Sequence, residues 1–310
     1  MILNTGQRTD IPAFYSQWFY HRIRAGFVLV RNPYYEQQVT RYRLSPDLID
    51  VICFCTKNPA PMLPGLRALS SFRQYWQVTI TPYGPEIEPF VPPVPEVIES
   101  FQRLAGMVTP ACTAWRYDPV IITEKYSVDF HIAAFRKMCK SLRGFTRQAI
   151  ISFLDLYEKT KANFPEGQPV SIEDQKTLGE AFARIARENG MRLYTCHEGT
   201  HLARFGIDCS GCMTRSVLER ALGEELPIPA AITHPREGCA CLLGCDIGAY
   251  NSCGHGCRYC YANASRELVR KRMAMHDPES PFLIGHALPD DIIHDAEQRK
   301  WGSGQMLLPL

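Results

Sequence analysis

Six short apolar runs, each followed by a stretch of helical or turn-rich composition, constrain this chain more than any other feature. The runs are Ile2–Asn4, Val51–Cys55, Gln77–Thr81, Thr113–Arg116, Ala149–Phe153 and Arg192–Cys196. Most are continuous apolar or β-branched segments, the pattern of strands buried on both faces. Helices are predicted over Ile11–Ala25, with Asp10 as N-cap and Pro12 in the first turn, and over Pro64–Tyr75, Val94–Ala105, Val128–Leu142 and Ile172–Asn189, the last stopping at Gly190. Strand then helix, repeated, predicts a parallel sheet with right-handed crossovers. No Gly-x-Gly-x-x-Gly or phosphate loop follows a strand, which disfavours a nucleotide-binding fold. The expected fold is therefore α/β, a six-stranded partial (β/α) TIM-like barrel, with a doubly wound open sheet as the alternative. Phe27–Val30 and Thr40–Leu44 predict a small hairpin inserted after the first helix.

From Gly199 the pattern changes. Short apolar pieces, Gly, Pro and Cys dominate as far as Cys260, followed by a helical stretch at Asn263–Met275 and turn composition at Asp277–Leu288. The last eight residues are expected to be disordered. Two units follow, a barrel over 1–198 and a cysteine-rich region with a C-terminal helix over 199–310. Of thirteen cysteines, nine fall between Cys196 and Cys260. The start of the chain has no basic segment leading into an apolar core, so a cytoplasmic protein is expected. In a reducing compartment clustered thiols point to metal rather than to disulfides. Cys53, Cys55, Cys112 and Cys139 lie in or beside apolar segments and read as core packing.

The densest cysteine motif is Cys253-Gly-His-Gly-Cys257-Arg-Tyr-Cys260. Three thiolates on one tight loop can hold three corners of a [4Fe–4S] cubane and leave the fourth iron open to substrate or cofactor. This spacing resembles that of the radical S-adenosylmethionine enzymes. The alternative is a zinc knuckle built on Cys257 and Cys260. Cys196, Cys209, Cys212, Cys239, Cys241 and Cys245 remain, enough for four ligands of an auxiliary cluster. Zinc held by Cys209/Cys212 and Cys239/Cys241 is again the alternative. His197, His201, His234 and His255 lie nearby and read as hydrogen-bonded polar residues, given the surplus of thiols.

Polar residues follow the apolar runs. In barrels of this kind chemistry sits at the C-terminal ends of the strands. Arg8 and Asp10, Lys57 and Asn58, Thr81, Arg116 and Asp118, Ser152 and Asp155, and Cys196 with Glu198 would converge at one mouth. Arg8, Lys57 and Arg116 are candidates for binding an anionic substrate or a cofactor carboxylate. Asp10, Asp118 and Glu198 are candidates for hydrogen bonding to hydroxyl or amine groups.

The chain resembles domain-of-unknown-function family 1848 through Arg8-Thr-Asp-Ile-Pro-Ala-Phe-Tyr-Ser16, Val30-Arg-Asn-Pro33, Thr56-Lys-Asn-Pro-Ala-Pro61, Asp246-Ile-Gly-Ala-Tyr250 running into the cysteine motif, and His276-Asp-Pro-Glu-Ser-Pro281. The resemblance covers nearly the whole chain. It implies that Cys196, Cys212, Cys239 and Cys241 are the auxiliary ligands, with Cys209 and Cys245 as extras, and it implies no substrate. By the radical-enzyme resemblance, Tyr259 and Asn58 are placed as cofactor-binding residues, Asn58 standing near the end of the second strand, where the amino group of S-adenosylmethionine is usually held.

The implied activity is that of a radical S-adenosylmethionine enzyme of unknown substrate. It would hold two [4Fe–4S] clusters and S-adenosylmethionine, form a 5′-deoxyadenosyl radical at the barrel mouth, and draw electrons from a reductant such as flavodoxin or ferredoxin. The alternatives are a non-radical iron–sulfur protein that transfers electrons or acts as a Lewis acid, and a zinc-stapled binding module. A formal net charge of +2 with no basic stripe disfavours nucleic acid as a partner, and no apolar run approaches the length of a membrane span.

Overall fold

The computed structural model describes residues 1–228 and 239–301; His234 and the last eight residues of the chain lie outside them. In chain order the strands are β1 (Ile2–Asn4), β2 (Phe27–Arg31), β3 (Gln38–Arg43), β4 (Val51–Thr56), β5 (Gln74–Thr79), β6 (Thr113–Val120), β7 (Gln148–Phe153), β8 (Arg192–Thr195), β9 (Cys245–Asp246) and β10 (Ile292–Asp295). The α-helices are α1 (Ile11–Phe14), α2 (Ser16–Ala25), α3 (Val94–Val108), α4 (Val128–Leu142), α5 (Glu158–Asn163), α6 (Ile172–Glu188), α7 (Arg215–Leu222) and α8 (Arg266–Met273).

Seven strands form one sheet in the order β8-β7-β6-β5-β4-β1-β9, and every neighbouring pair is parallel. The sheet is not closed: β8 and β9 are its edges. The expected six strands are all present, but a seventh, β9, pairs with β1 on the side away from β4. Two residues inside a Cys- and Gly-rich stretch carry no strand periodicity, so no local pattern marks this strand. The expected hairpin forms from β2 and β3, and β10 adds to it in parallel. The second unit expected from the sequence, 199–310, thus contributes a strand to each sheet.

Strand alternation sorts the seven-stranded sheet into two faces. Leu3, Ile52, Phe54, Trp76, Val78, Trp115, Tyr117, Ile151 and Leu193 point into the larger core. There they meet Phe19 of α2, Phe101 of α3, Phe135 of α4 and Phe182 of α6, with Phe54 stacked on Trp76 and Phe135 on Phe182. The main crossover helices therefore cover one face, so the sheet is singly wound and the doubly wound alternative does not hold. Ile2, Val51, Cys53, Tyr75, Ala114, Ile150 and Tyr194 point the other way, against Val217 and Leu218 of α7 and against Cys212, Cys241 and Leu242. Burial on both faces is why these strands read as continuous apolar runs.

Two helical expectations change. The predicted helix Ile11–Ala25 breaks at Tyr15 into α1 and α2, and the Tyr15 hydroxyl donates to Ser252 O (2.5 Å). The predicted helix Pro64–Tyr75 is a 3-10 helix over Ala60–Leu69, and β5 begins three residues before the expected strand. Pro64 disrupts α-helical hydrogen bonding there, while Tyr75 and Trp76 are strand formers buried in the sheet.

Candidate functional site

The loop bearing Cys253, Cys257 and Cys260 leaves β9 at its C-terminal end. Because β9 runs parallel to β1, both strands finish at the same edge, and the loop returns over it. It is fixed there by contacts from distant segments. His255 Nε2 lies 2.8 Å from Asp10 Oδ2, and Phe90 N–H donates to His255 O (3.1 Å). Arg258 N–H donates to Ile87 O (3.0 Å), and Thr160 Oγ1 donates to Tyr259 O (3.1 Å). Gly256 has φ +67°, and a Cβ there would stand 3.0 Å from the Phe90 ring, so the tight return between two cysteines needs glycine.

Glu88 links this loop to the strand ends. Its Oε1 accepts from Lys57 Nζ (2.9 Å), from Thr81 Oγ1 (2.7 Å) and from the Tyr259 hydroxyl. Lys57 Nζ also lies 5.7 Å from the centre of the Tyr259 ring. Burial pulls the Lys57 ammonium down, but the Glu88 carboxylate beside it outweighs burial and holds its pKa above the usual lysine value. Sequence reading missed Glu88. It sits in the proline-rich loop 82–93, where neither period nor motif marks it.

The second cysteine group lies on the sheet face opposite α2, α3, α4 and α6. Cys212 Sγ is 3.8 Å from Cys241 Sγ, the Cys196 and Cys212 thiols are hydrogen-bonding neighbours, and Cys239 packs against the same cluster. Arg116 Nη1 donates to Cys212 Sγ (3.2 Å) and to Gln77 Oε1 (3.0 Å), and its Nη2 binds Asp118, which also accepts from Ser152 Oγ. Cys55, read from sequence as packing, projects from β4 onto this face with Arg116, Asp118 and Cys196 as neighbours; burial lifts its thiol to about 11. Its signal was positional: it stands two residues after Cys53 on a strand whose next polar residues, Thr56 and Lys57, reach the site. Cys209 packs instead on the larger core, and Cys245 on β9 meets Tyr42.

The remaining residues divide. Arg8 has one loose carboxylate contact, Nε to Asp246 Oδ1 at 3.9 Å, and its guanidinium lies 5.7 Å from the Tyr250 ring centre. Asn58 Oδ1 accepts from Ala60 N–H (3.2 Å), a turn-forming role. Glu198 Oε1 accepts from Phe153 N–H (2.8 Å); burial lifts this carboxyl to about 8 despite that bond, with Asp155 and Asp118 adding to the effect. The two cysteine groups are neighbours. The Tyr261 phenol has Cys55, Cys260, Asp246 and Arg116 around it, and its hydroxyl donates to Gln7 O (2.5 Å).

The donor chemistry fits an iron–sulfur cluster at Cys253, Cys257 and Cys260. Burial raises all three thiols, with Asp10 adding to the effect at Cys253, so the protein alone does not favour thiolates there and a metal charge would. Backbone N–H groups nevertheless aim at the sulfurs, from His255 to Cys253 and from Ala262 to Cys260 (3.4 Å), the bonds that support cluster thiolates. His255 Nδ1, Thr9 Oγ1 and Asn263 Oδ1 are buried without a partner among the described residues. Among the described residues no three Cys, His, Asp or Glu side chains are grouped to hold a single metal ion. Also among them, no helix is long and apolar enough to cross a membrane.

A family model described as "Domain of unknown function (DUF1848)" matches residues 2–262. No curated protein and no solved structure matches the chain.

Proposed function

The chain belongs to the DUF1848 family, and we propose that it is a radical S-adenosylmethionine-type iron–sulfur enzyme acting at the C-terminal edge of its sheet. The observation that carries this reading is the half-buried loop of Cys253, Cys257 and Cys260, held over the strand ends by the 2.8 Å contact between His255 and Asp10. Read this way, the open sheet is a partial barrel, the strand order running from β1 to β8 as a TIM-like barrel's would, with β9 next to β1. Bound at the loop, a reduced [4Fe–4S] cluster would supply the electron that cleaves S-adenosylmethionine and yields the 5′-deoxyadenosyl radical.

The chain's own residues have definite tasks in this reading. Lys57 and Glu88 fix Tyr259, and with it the loop, against β4 and β5. Arg8, loosely paired and partly open to solvent, is the cation best able to meet a carboxylate or other anion. Asp118 holds Arg116 against the second thiol group, so Arg116 serves that group rather than the first loop. Cys196, Cys212, Cys239 and Cys241 would hold an auxiliary cluster.

The test is anaerobic reconstitution followed by reduction with dithionite. Protein that gains iron and sulfide and then releases 5′-deoxyadenosine and methionine from S-adenosylmethionine supports the proposal, provided Cys257→Ala does not. A protein that loads iron but never cleaves S-adenosylmethionine would be a non-radical iron–sulfur protein, and one that takes up only zinc would be a zinc-stapled module.

A further inference from the structure

The loop carrying Cys253, Cys257 and Cys260 runs directly into a stretch rich in basic residues, of which Arg258 pairs with Glu166 and Lys271 with Glu267, leaving the exposed Arg266 and Arg270 as its main cations. Residues 258–272 hold five of the chain's 34 basic side chains and one of its 32 acidic ones, so this stretch is net positive by four while the rest of the chain is net negative by two. Ser265, five residues after Cys260, caps α8 by accepting from Leu268 N–H (3.2 Å). Val269 is the one fully buried residue of α8, and Arg266, Leu268, Arg270 and Lys271 face solvent. Packing alone does not account for so basic a helix with so narrow a buried stripe.

An aromatic ring joins this helix to the cysteine loop. Phe90 is 61% exposed, and the Arg266 guanidinium lies 5.7 Å from its ring centre. The same ring closes on Gly256, between Cys253 and Cys257, and Phe90 N–H donates to His255 O. A large exposed aromatic beside the Arg266 guanidinium and seated on a candidate redox loop has the makeup of an interface anchor.

We infer that this face, formed by Phe90, Arg266, Leu268, Arg270 and Lys271, docks a small acidic one-electron carrier protein of the flavodoxin kind. The inference rests on the iron–sulfur reading above. Charge complementarity selects an acidic partner and speeds its encounter, and the contact between Phe90 and the loop places that partner beside the sulfurs. The step moves one electron from the carrier, which is oxidised, to the cluster, which is reduced, with no bond made or broken. A nucleic acid would also meet the basic side chains and could stack a base on Phe90; the contact of that ring with the cysteine loop is what favours an electron carrier.

The test uses reconstituted full-length protein and a reduced flavodoxin, with R270E/K271Q and F90A as variants. Two readouts are taken: the affinity for oxidised flavodoxin by titration calorimetry, and the rate of cluster reduction at low and high salt. Wild type should bind and be reduced about tenfold more slowly at high salt. At low salt R270E/K271Q should lose about fivefold or more in both readouts, and most of its salt dependence. F90A should weaken binding at either salt. Dithionite, which needs no docking surface, should reduce all three proteins equally. Equal affinity and equal flavodoxin rates in wild type and R270E/K271Q would overturn the docking face. So would a variant that loses affinity for a single-stranded oligonucleotide while keeping its flavodoxin rate. Protein that holds no iron, or that dithionite cannot reduce, fails the iron–sulfur reading itself.

Discussion

Asp10 and His255 lie 245 positions apart in the chain, yet Asp10 Oδ2 stands 2.8 Å from His255 Nε2. The same oxygen accepts from Lys57 N–H (2.7 Å), while Oδ1 caps α1 through Ala13 N–H (3.0 Å). One buried carboxylate thus ties the end of β1, the end of β4 and the cysteine loop together. A helix cap has become the anchor of the candidate site.

Replacing Asp10 with Ala removes the cap and strands two buried donors. Loss of the cap costs about 1 kcal/mol, and each unsatisfied buried group costs about 1–3 kcal/mol more. Urea unfolding of the Asp10→Ala variant should therefore show a loss of about 3 kcal/mol or more. Asp10→Asn keeps an acceptor for Ala13 N–H and should lose less. A loss under about 1 kcal/mol in Asp10→Ala would mean that the loop is held by other contacts.

Metal content separates the two cysteine groups. Three ligands plus four suggest two [4Fe–4S] clusters and about eight irons per chain. Changing Cys253, Cys257 and Cys260 together to Ala should remove about half of the iron. Changing Cys212 and Cys241 instead should remove the other half, or zinc if that group holds a single ion. Iron content unaffected by the first triple change would exclude the loop as a ligand set.

The Lys57–Glu88 pair is buried, with the Glu88 side chain only 2% exposed. Lys57→Met leaves that carboxylate without its cation and should destabilise the protein by about 3–5 kcal/mol. The double variant Lys57→Met with Glu88→Gln removes both charges. It should be more stable than the sum of the two single changes predicts, and a double-mutant cycle measures the difference. Strict additivity would show that Tyr259 and Thr81, not Lys57, carry the stabilisation of Glu88.

His131 should make the fold acid-sensitive. Its side chain is fully buried, Tyr117 hydroxyl lies 2.6 Å from Nδ1, and Nε2 lies 2.9 Å from Ile121 O. Those partners suit the neutral ring with its proton on Nε2. Burial, partly opposed by the Ile121 carbonyl, lowers its pKa from 6.5 to about 4. Between those values the unfolded chain binds the extra proton and the folded chain does not. The stabilising contribution is thus complete above the unfolded pKa and is lost as pH falls toward the folded one. Stability should fall by up to roughly 2–3 kcal/mol from this group alone as the pH drops from neutral to acid. Urea titrations of wild type and His131→Gln across that range check it: the variant should show the shallower slope, and parallel slopes would exclude His131 as the cause.

Local pattern made part of this fold legible. The bounds of β1 and α4 agree with those read from periodicity, and α6 starts at the residue expected behind its Ser171 cap. β5 begins three residues before the strand that periodicity predicts, because the apolar residues of 62–69 suit a helix face and Pro64 among them decides otherwise. The spacing of Cys253, Cys257 and Cys260 was equally legible, since three ligands on one loop need no knowledge of the rest of the chain.

The chain alone determined which segments are strands and helices, and that its thiols gather toward the C-terminus, because both follow from neighbours a few residues apart. Tertiary structure decided the rest. It placed β9 against β1, left the sheet open, turned Cys55 toward Cys196 and Arg116 toward Cys212, and set Glu88 between Lys57 and Tyr259. These relationships join residues from 31 to over 200 positions apart. No period or spacing encodes them: a buried charge takes whichever partner the packed sheet brings within reach, and that partner is settled only when the two faces of the sheet are covered.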